Sequence, residues 1–263
     1  MNNDSGNAES TAVFNKPPQD NKPGVEAKWE KTINERRRLK GNRLYEEGDG
    51  SRTEEKFAGR PVIHRDSPIN GGVYLGSGIR EAIVVDDTKD QILREVYEKF
   101  RSLLPQDVAQ AKQNALFTAW QLTQQEIPYK GDDAVAQLHQ RLNVAAADTK
   151  IQLGIYILNK TGVCRHEALL AGYFLEKLIK EGILTGKVSI DRNTIKGRGG
   201  HAWVRYTNSI GEVFIIDPAQ KYIGRLKEAP KDGWDYRRPE DIARDNRRKA
   251  LGIARILRKL SGL

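Results

Sequence analysis

Apolar residues recur at helical spacing in the middle of the chain and predict a helix at residues 165–181. Gly182 follows this helix at a position where helices commonly end in a left-handed residue. Similar patterns predict four further helices, at residues 89–104, 106–125, 132–143 and 243–260. Residues 152–158 fit either a helix or a buried strand.

Two stretches near the C-terminal end, 201–206 and 212–217, are rich in strand-forming residues. The five residues between them suit a hairpin loop, so an antiparallel pair is predicted. A hairpin symmetric about Ser209 would place His201 opposite Asp217, with their Cβ atoms about 4.5–5.5 Å apart on one face. Helices together with an antiparallel sheet predict the α+β class.

The first 59 residues differ in composition from the rest. They are rich in Asn, Asp, Lys, Glu, Pro and Gly and contain few aliphatic residues, so we expect residues 1–59 to be mostly disordered. A weak helical period of apolar residues at 26–47 indicates a short helix there as an alternative. The whole chain, with 263 residues of which 38% are hydrophobic, can form one sizeable core with appendages.

Positive charge is concentrated at the C-terminal end. Residues 221–263 hold 13 Lys and Arg against 6 Asp and Glu, a net of +7, out of +9 for the chain. A basic amphipathic helix there can bind an anionic membrane surface, nucleic acid or an acidic partner, or it can dock its apolar stripe on the core. We expect docking, and the lack of aromatic residues among the basic ones argues against binding to single-stranded nucleic acid.

No apolar run approaches the roughly 18 residues of a membrane span, and the N-terminal sequence lacks the layout of a signal peptide. We therefore expect a cytoplasmic protein with no transmembrane segment, although export by a signal-free secretion system leaves no mark in a sequence. The single cysteine permits no internal disulfide, which agrees with a reducing compartment.

That single cysteine, Cys164, is the candidate nucleophile. It lies at the start of the central predicted helix, where unpaired amides and the helix dipole favour a thiolate over a thiol. A lone cysteine is often only a small buried hydrophobe. Here His201 and Asp217 follow in order, and an imidazole oriented by a carboxylate is what activates a thiol for acyl transfer. We interpret Cys164, His201 and Asp217 as a catalytic triad, whereas His166 and Trp203 are expected to be structural.

Three blocks that surround these residues resemble the signatures of the transglutaminase-like superfamily of papain-fold cysteine enzymes. They are Gly162-Val163-Cys164-Arg165-His166, Gly200-His201-Ala202-Trp203-Val204 and Ile216-Asp217-Pro218. The resemblance covers residues 115–224. It implies a helical N-terminal part whose catalytic cysteine opens a helix packed on an antiparallel sheet, with the histidine and aspartate on that sheet. The domain would span residues 60–230, followed by a basic helical extension at 231–263.

The resemblance implies attack on an amide, and we expect a cysteine hydrolase that cleaves protein or peptide substrates through a thioester. A transglutaminase, in which a lysine amine replaces water, and a non-catalytic binding module remain alternatives. No cofactor or metal is called for, since neither a CxxC nor an HExxH spacing occurs. The Cys164 amide is one expected oxyanion donor, with Gln152 and Asn159 as candidates for the second.

Overall fold

The structure, a computed structural model, describes residues 28–29, 45–46, 55–76, 81–144 and 149–260. Helices and mainly antiparallel strands occur together, so the predicted α+β class is confirmed. The strands are β1 (Lys28–Trp29), β2 (Tyr45–Glu46), β3 (Lys56–Phe57), β4 (Arg60–Pro61), β5 (Gly72–Leu75), β6 (Ala82–Val85), β7 (Lys150–Gln152), β8 (Gly186–Ile195), β9 (Gly199–Asn208), β10 (Val213–Asp217) and β11 (Tyr222–Arg225).

The predicted helices form with ends within four residues of those expected. They are α1 (Gln91–Leu103), α2 (Val108–Glu126), α3 (Asp132–Arg141), α4 (Leu153–Leu158), α5 (Cys164–Lys180) and α6 (Pro239–Leu260), with a 3₁₀ turn at Leu226–Glu228. The ambiguous segment 152–158 begins as the end of β7 and continues as α4.

The largest sheet positions the candidate site. Its five strands run in the order β1-β8-β9-β10-β11, and each neighbouring pair is antiparallel. Helix α5 packs against β8, β9 and β10 on one side and against α2 and α4 on the other. A helix enclosed in this way is buried on nearly all faces, and α5 is buried at 13 of its 17 residues.

Close contact between α5 and the sheet depends on Gly172. A Cβ atom at this position would lie 2.6 Å from Cδ1 of Ile190 and 2.9 Å from Cδ1 of Ile69. Both isoleucines are buried in the main core, so neither can move without disturbing its neighbours. The absence of a side chain at residue 172 therefore lets the helix approach β8, the strand that pairs with β9.

The packed structure extends into the segment expected to be disordered. Within residues 1–59 the structure describes 28–29, 45–46 and 55–59. Strands β1 and β2 lie within residues 26–47, where the alternative prediction was a short helix. Strand β1 pairs with β8. Phe57 is fully buried in a second apolar cluster with Val62, Val73 and Leu75. The remainder of the predicted disordered region lies outside the described residues.

The register of the β9–β10 hairpin corrects the prediction. Tyr206 pairs with Phe214 and Val204 pairs with Ile216, a shift of two residues from the expected pairs. The loop is shorter than expected, because the Asn208 side chain accepts hydrogen bonds from the amides of Ile210 and Glu212 and extends the pairing to residue 208. The predicted position of His201 directly opposite Asp217 is therefore wrong.

Among the described side chains of helix α6, the contacts with the core are ion pairs in its first turn. At its start, Asp241 accepts two 2.8 Å hydrogen bonds from the buried guanidinium of Arg205, and Glu240 pairs with Arg65 at 2.7 Å. Further along, Leu251 and Ile253 are 71% and 59% exposed. The expected docking of the stripe is wrong for these two residues, since the anchoring contacts lie in the first turn.

Candidate active site

Cys164 is the first residue of α5, and the turn before it is fixed by packing. The Lys130 amide donates to the Gly162 carbonyl at 2.9 Å, which ties the turn to the segment after α2. A Cβ atom at Gly162 would lie only 2.3 Å from Cγ2 of Ile127, so this glycine gives the turn room to pack. The thiol belongs to a free cysteine that is partly exposed, as a nucleophile requires.

The helix start is capped by a side chain within the helix itself. Val163 precedes the helix and has no polar side-chain atom, but its amide donates to Nδ1 of His166 at 3.1 Å. As the first helical residue, Cys164 has an amide with no acceptor in the helix. That N–H and the positive end of the helix are therefore available to a negative charge near Sγ.

His201 on β9 and Asp217 at the end of β10 are in direct contact, as the sequence predicted. Nε2 of His201 lies 2.5 Å from Oδ2 of Asp217, and both residues are buried. Continuing the observed register places Asp217 opposite Trp203, which makes His201 its diagonal neighbour on the same face. The two-residue shift in register therefore changes which residues are paired but keeps the imidazole and the carboxylate together.

Cys164 lies close to His201, and the two groups shift each other's pKa values in opposite directions. Burial works to raise the pKa of the Cys164 thiol, but the charge of His201, its hydrogen bond and the Ala202 amide bring that pKa below its ordinary value. Burial works to lower the pKa of His201, but the negative charges of Asp217 and Cys164 raise it to about 10. Between these two pKa values the pair exists as thiolate and imidazolium.

Asp217 is held by neutral donors in addition to His201. The amide of Gln220 donates to Oδ1 at 3.0 Å, and the hydroxyl of Tyr236 donates to Oδ2 at 2.8 Å. Both donors fix the orientation of the carboxylate. Because Nε2 of His201 is engaged by Asp217, Nδ1 is the ring nitrogen left for Cys164.

Aromatic rings enclose the imidazole of His201. The ring of Trp203 stacks beside it at 5.9 Å between centroids, and the ring of Trp234 lies at 4.8 Å. Trp203 is fully buried, in agreement with its expected packing role. These rings keep water away from the His201–Asp217 hydrogen bond, which strengthens it.

Glu167, one turn into α5, is a buried carboxyl beside the three residues. Burial and the negative charges of Asp217 and Cys164 raise its pKa to about 9. One of its oxygens, Oε2, has no hydrogen-bond partner. At neutral pH the group is therefore protonated and adds no negative charge to the site.

His166 and Arg165 point to a separate buried cluster around Glu81. Arg165 Nε lies 2.8 Å and His166 Nε2 lies 3.1 Å from Glu81 Oε1. Burial works to raise the pKa of Glu81, but the hydrogen bond of His166 and the charge of Arg165 hold it below the usual range. His166 thus caps the helix, which agrees with its expected structural role, and Arg165 anchors the helix to Glu81 just before β6.

The two side chains considered as second oxyanion donors are engaged elsewhere. Asn159 donates to the Ile155 carbonyl at 2.8 Å within its own helix, and Gln152 donates to the Lys89 carbonyl at 3.5 Å. Of the three donors considered, the structure leaves the Cys164 amide as the one positioned at the thiol.

Sequence reasoning missed Trp234, Tyr236 and Glu167. The two aromatic residues follow the last predicted strand by more than a dozen residues, and their only signal is a Trp-x-Tyr spacing. Glu167 directly follows the block that ends at His166, and its position one helical turn from the thiol was the available clue.

No family model, curated protein or solved structure matches this chain. In the described part of the chain, no group of three or more His, Cys, Asp or Glu side chains is arranged to hold a metal ion. Within the same residues, no helix has the length and apolarity needed to cross a membrane.

Proposed function

We propose that the protein is a cysteine hydrolase that cleaves protein or peptide amides through Cys164, His201 and Asp217. The observation that carries this proposal is the buried hydrogen bond between His201 and Asp217 beside Cys164, whose thiol pKa lies below its ordinary value despite burial because of the charge of His201. A structural cysteine needs no such partners, and it gains nothing from a thiol pKa held below the ordinary value.

In the proposed reaction, the Cys164 thiolate attacks the carbonyl carbon of the amide. The oxyanion that forms accepts a hydrogen bond from the Cys164 amide at the start of α5. His201 then gives its proton to the nitrogen of the leaving amine, and the C–N bond breaks to leave a thioester on Cys164. Water, deprotonated by His201, attacks the thioester, releases the acid and regenerates the Cys164 thiolate beside protonated His201.

Access to the thiol supports a polypeptide substrate. Tyr129 is 56% exposed, and its backbone pairs with Gly162, two residues before Cys164. An exposed aromatic ring beside a partly exposed nucleophile offers a surface against which an extended chain can pack. We infer that Tyr129 forms one wall of the substrate cleft.

We also propose that the chain has a transglutaminase-like, papain-like fold. The supporting features are the position of Cys164 at the start of a central helix, the placement of His201 and Asp217 on adjacent antiparallel strands, and the three sequence blocks that surround them. Since hydrolases and transglutaminases of such a fold share the thioester, they differ only in the acceptor that resolves it.

The test is to incubate the protein with a labelled peptide library, with and without a primary amine, and to read the products by mass. The proposal predicts cleaved peptides in both samples and a covalent adduct on Cys164 during turnover. Cys164→Ala is the control and should give neither.

Each other outcome is informative. Products joined to the amine in place of cleaved ones would indicate a transglutaminase. No reaction with any peptide, together with retained peptide binding by Cys164→Ala, would contradict the proposal and indicate a binding module.

A further inference from the structure

A segment beyond the five-stranded sheet crosses the His201–Asp217 pair. Residues 229–238, here termed the strap, connect the 3₁₀ turn to α6. The Trp234 indole donates to Asn193 Oδ1 at 2.6 Å, and the Asn193 side chain donates back to the Asp235 carbonyl at 2.8 Å. Arg198 donates to the Gly233 carbonyl at 3.0 Å and stacks over the Trp234 ring. The strap is thus bound to β8 and to the β8–β9 turn by several independent contacts.

The strap brings the Tyr236 hydroxyl to the carboxylate of Asp217. This hydroxyl lies 2.8 Å from Oδ2, the oxygen that also accepts from Nε2 of His201. The Tyr236 ring is buried and fixed, since it packs edge-on against Trp203 at 5.2 Å and stacks on Tyr222 at 5.6 Å. A buried phenol with a fixed ring has little freedom to direct its hydroxyl elsewhere.

We propose that Tyr236 is a positioning residue of the triad, whose hydroxyl holds the Asp217 carboxylate toward His201 and takes up part of its negative charge. This inference rests on the proposed function of Cys164, His201 and Asp217. Tyr236 acts through Asp217, and the strap that carries it is part of the active site. The domain boundary predicted at residue 230 therefore divides the site, because Tyr236 lies in the predicted extension at residues 231–263.

Charge sharing matters because Asp217 has few other partners. Among the described residues its one ion pair is with His201, and its remaining donors are the Gln220 amide and Tyr236. A hydrogen bond from a neutral hydroxyl stabilises the carboxylate and weakens its pull on the imidazolium proton. A histidine that holds its proton too tightly is a poor acid for the leaving amine.

Other ionisable groups face the same pair and stay unchanged when the hydroxyl is removed. Cys164 and Glu167 approach from α5, with negative charge on Cys164 and a protonated carboxyl on Glu167 near neutral pH. Tyr222 on β11 and Arg198 in the β8–β9 turn interact with Tyr236 from its outer side. A change confined to the Tyr236 oxygen therefore reports on Asp217 and His201.

The experiment compares wild type with Tyr236→Phe, which removes one oxygen and keeps the ring contacts. Histidine is labelled with ¹⁵N in the full chain, which has four histidines, and the His201 signals are identified by their loss in His201→Ala. The ring nitrogens are titrated across the interval from the ordinary histidine pKa to the raised value of about 10. We expect the pKa of His201 to rise by about half a unit in Tyr236→Phe, because more of the Asp217 charge then faces the imidazole.

Tyr222→Phe is the matched control. It deletes a hydroxyl from the ring stacked on Tyr236, but that hydroxyl donates to the Arg225 carbonyl and does not touch Asp217. Its His201 titration should match wild type. Thermal unfolding of both variants verifies that the fold is kept.

An unchanged or lowered pKa of His201 in Tyr236→Phe would overturn the positioning role. On a peptide that the wild type cleaves, Tyr236→Phe should lower kcat and leave KM unchanged, whereas a purely structural loss would change neither. The titration needs no substrate. If the pKa of His201 rises as expected in Tyr236→Phe while the wild type cleaves no peptide, the proposed function fails and the role of Tyr236 on Asp217 stands.

Discussion

Two buried histidines near Cys164 have pKa values shifted in opposite directions, and the difference lies in the carboxylate that each one meets. His166 meets Glu81, and burial together with the charge of Arg165 lowers its pKa to about 4. His201 meets Asp217, and its pKa is raised to about 10 against a similar cost of burial. Both imidazoles have an acidic partner within hydrogen-bonding reach.

The other groups that contact each carboxylate explain the contrast. Glu81 is neutralised by the guanidinium of Arg165, so little attraction is left for a proton on His166, and Arg165 itself repels that proton. Asp217 receives neutral donors from Tyr236 and the Gln220 amide, so His201 is the cation that compensates its charge. A neutral, fixed histidine suits a helix cap, and a protonated one can stabilise a thiolate.

The largest expected effect comes from removing the charge that favours protonated His201. Asp217→Asn should keep the fold, because the amide fills the same volume, but it can no longer stabilise the imidazolium. In the serine triads that serve as the general template, this change costs about 10⁴ in turnover. Because the thiolate and imidazolium are already paired here, we expect a loss of about 10²–10⁴-fold in kcat/KM on a cleaved peptide.

Glu212→Gln is the control for that experiment. Glu212 precedes the same strand at its loop end, and losing its charge should leave kcat/KM near the wild-type value. An Asp217→Asn variant with full activity would leave at most a dyad of Cys164 and His201.

Breaking the other cluster should affect stability rather than chemistry. Glu81→Gln leaves the buried Arg165 with only the exposed carboxylate of Asp132 at 3.0 Å. Removing one partner of a buried ion pair typically costs about 3–5 kcal/mol, so we expect a loss of that size in the free energy of unfolding. Chemical denaturation measures it, with alkylation of Cys164 in the native state expected to be unchanged.

Asp132→Asn offers the matched comparison, because it removes the exposed partner of the same guanidinium. We expect a loss below about 1 kcal/mol for this variant. Equal losses of unfolding free energy in Glu81→Gln and Asp132→Asn would contradict a larger stabilisation by the buried partner of Arg165.

The effect expected from Glu167→Gln depends on pH. The pKa of Glu167 is about 9 in the folded protein and 4.5 when exposed, so between these values the folded state binds the additional proton. Stability of the wild type therefore falls as pH rises through this interval, by at most about 1.4 kcal/mol per pH unit. Glutamine does not titrate and lacks this slope.

We expect Glu167→Gln to unfold like wild type near pH 4.5 and to become more stable than wild type as the pH approaches 9. Unfolding free energies measured at several pH values give the comparison. Parallel pH dependences for the two proteins would contradict the buried, protonated state of Glu167.

The sequence was sufficient to predict the contact between His201 and Asp217, because that contact survives an error in register. A shift by two residues keeps every side chain on its face of the sheet, so His201 and Asp217 still meet as diagonal neighbours. The error arose in the loop, where the Asn208 side chain organises the turn through hydrogen bonds that no alternation of apolar and polar residues reveals.

The strap and the N-terminal packing could not be predicted for a different reason. Tyr236 lies 19 residues after Asp217, and the contact depends on where β11 and the 3₁₀ turn direct the backbone. Phe57 reaches its buried place through a short strand in a polar segment. Neither contact belongs to a periodic element, and periodicity is what a single sequence displays most clearly.

The central claim is that Cys164 is a thiolate paired with His201, and the pH dependence of its alkylation by iodoacetamide tests this most directly. Wild-type protein and glutathione are labelled in parallel, with Cys164→Ala as the blank, and the rates are read from intact mass. We predict a midpoint well below the free-thiol value of about 8.5, with labelling complete in the native state. A midpoint at or above that value, or labelling that requires denaturant, would contradict the paired thiolate and reduce Cys164 to a structural residue.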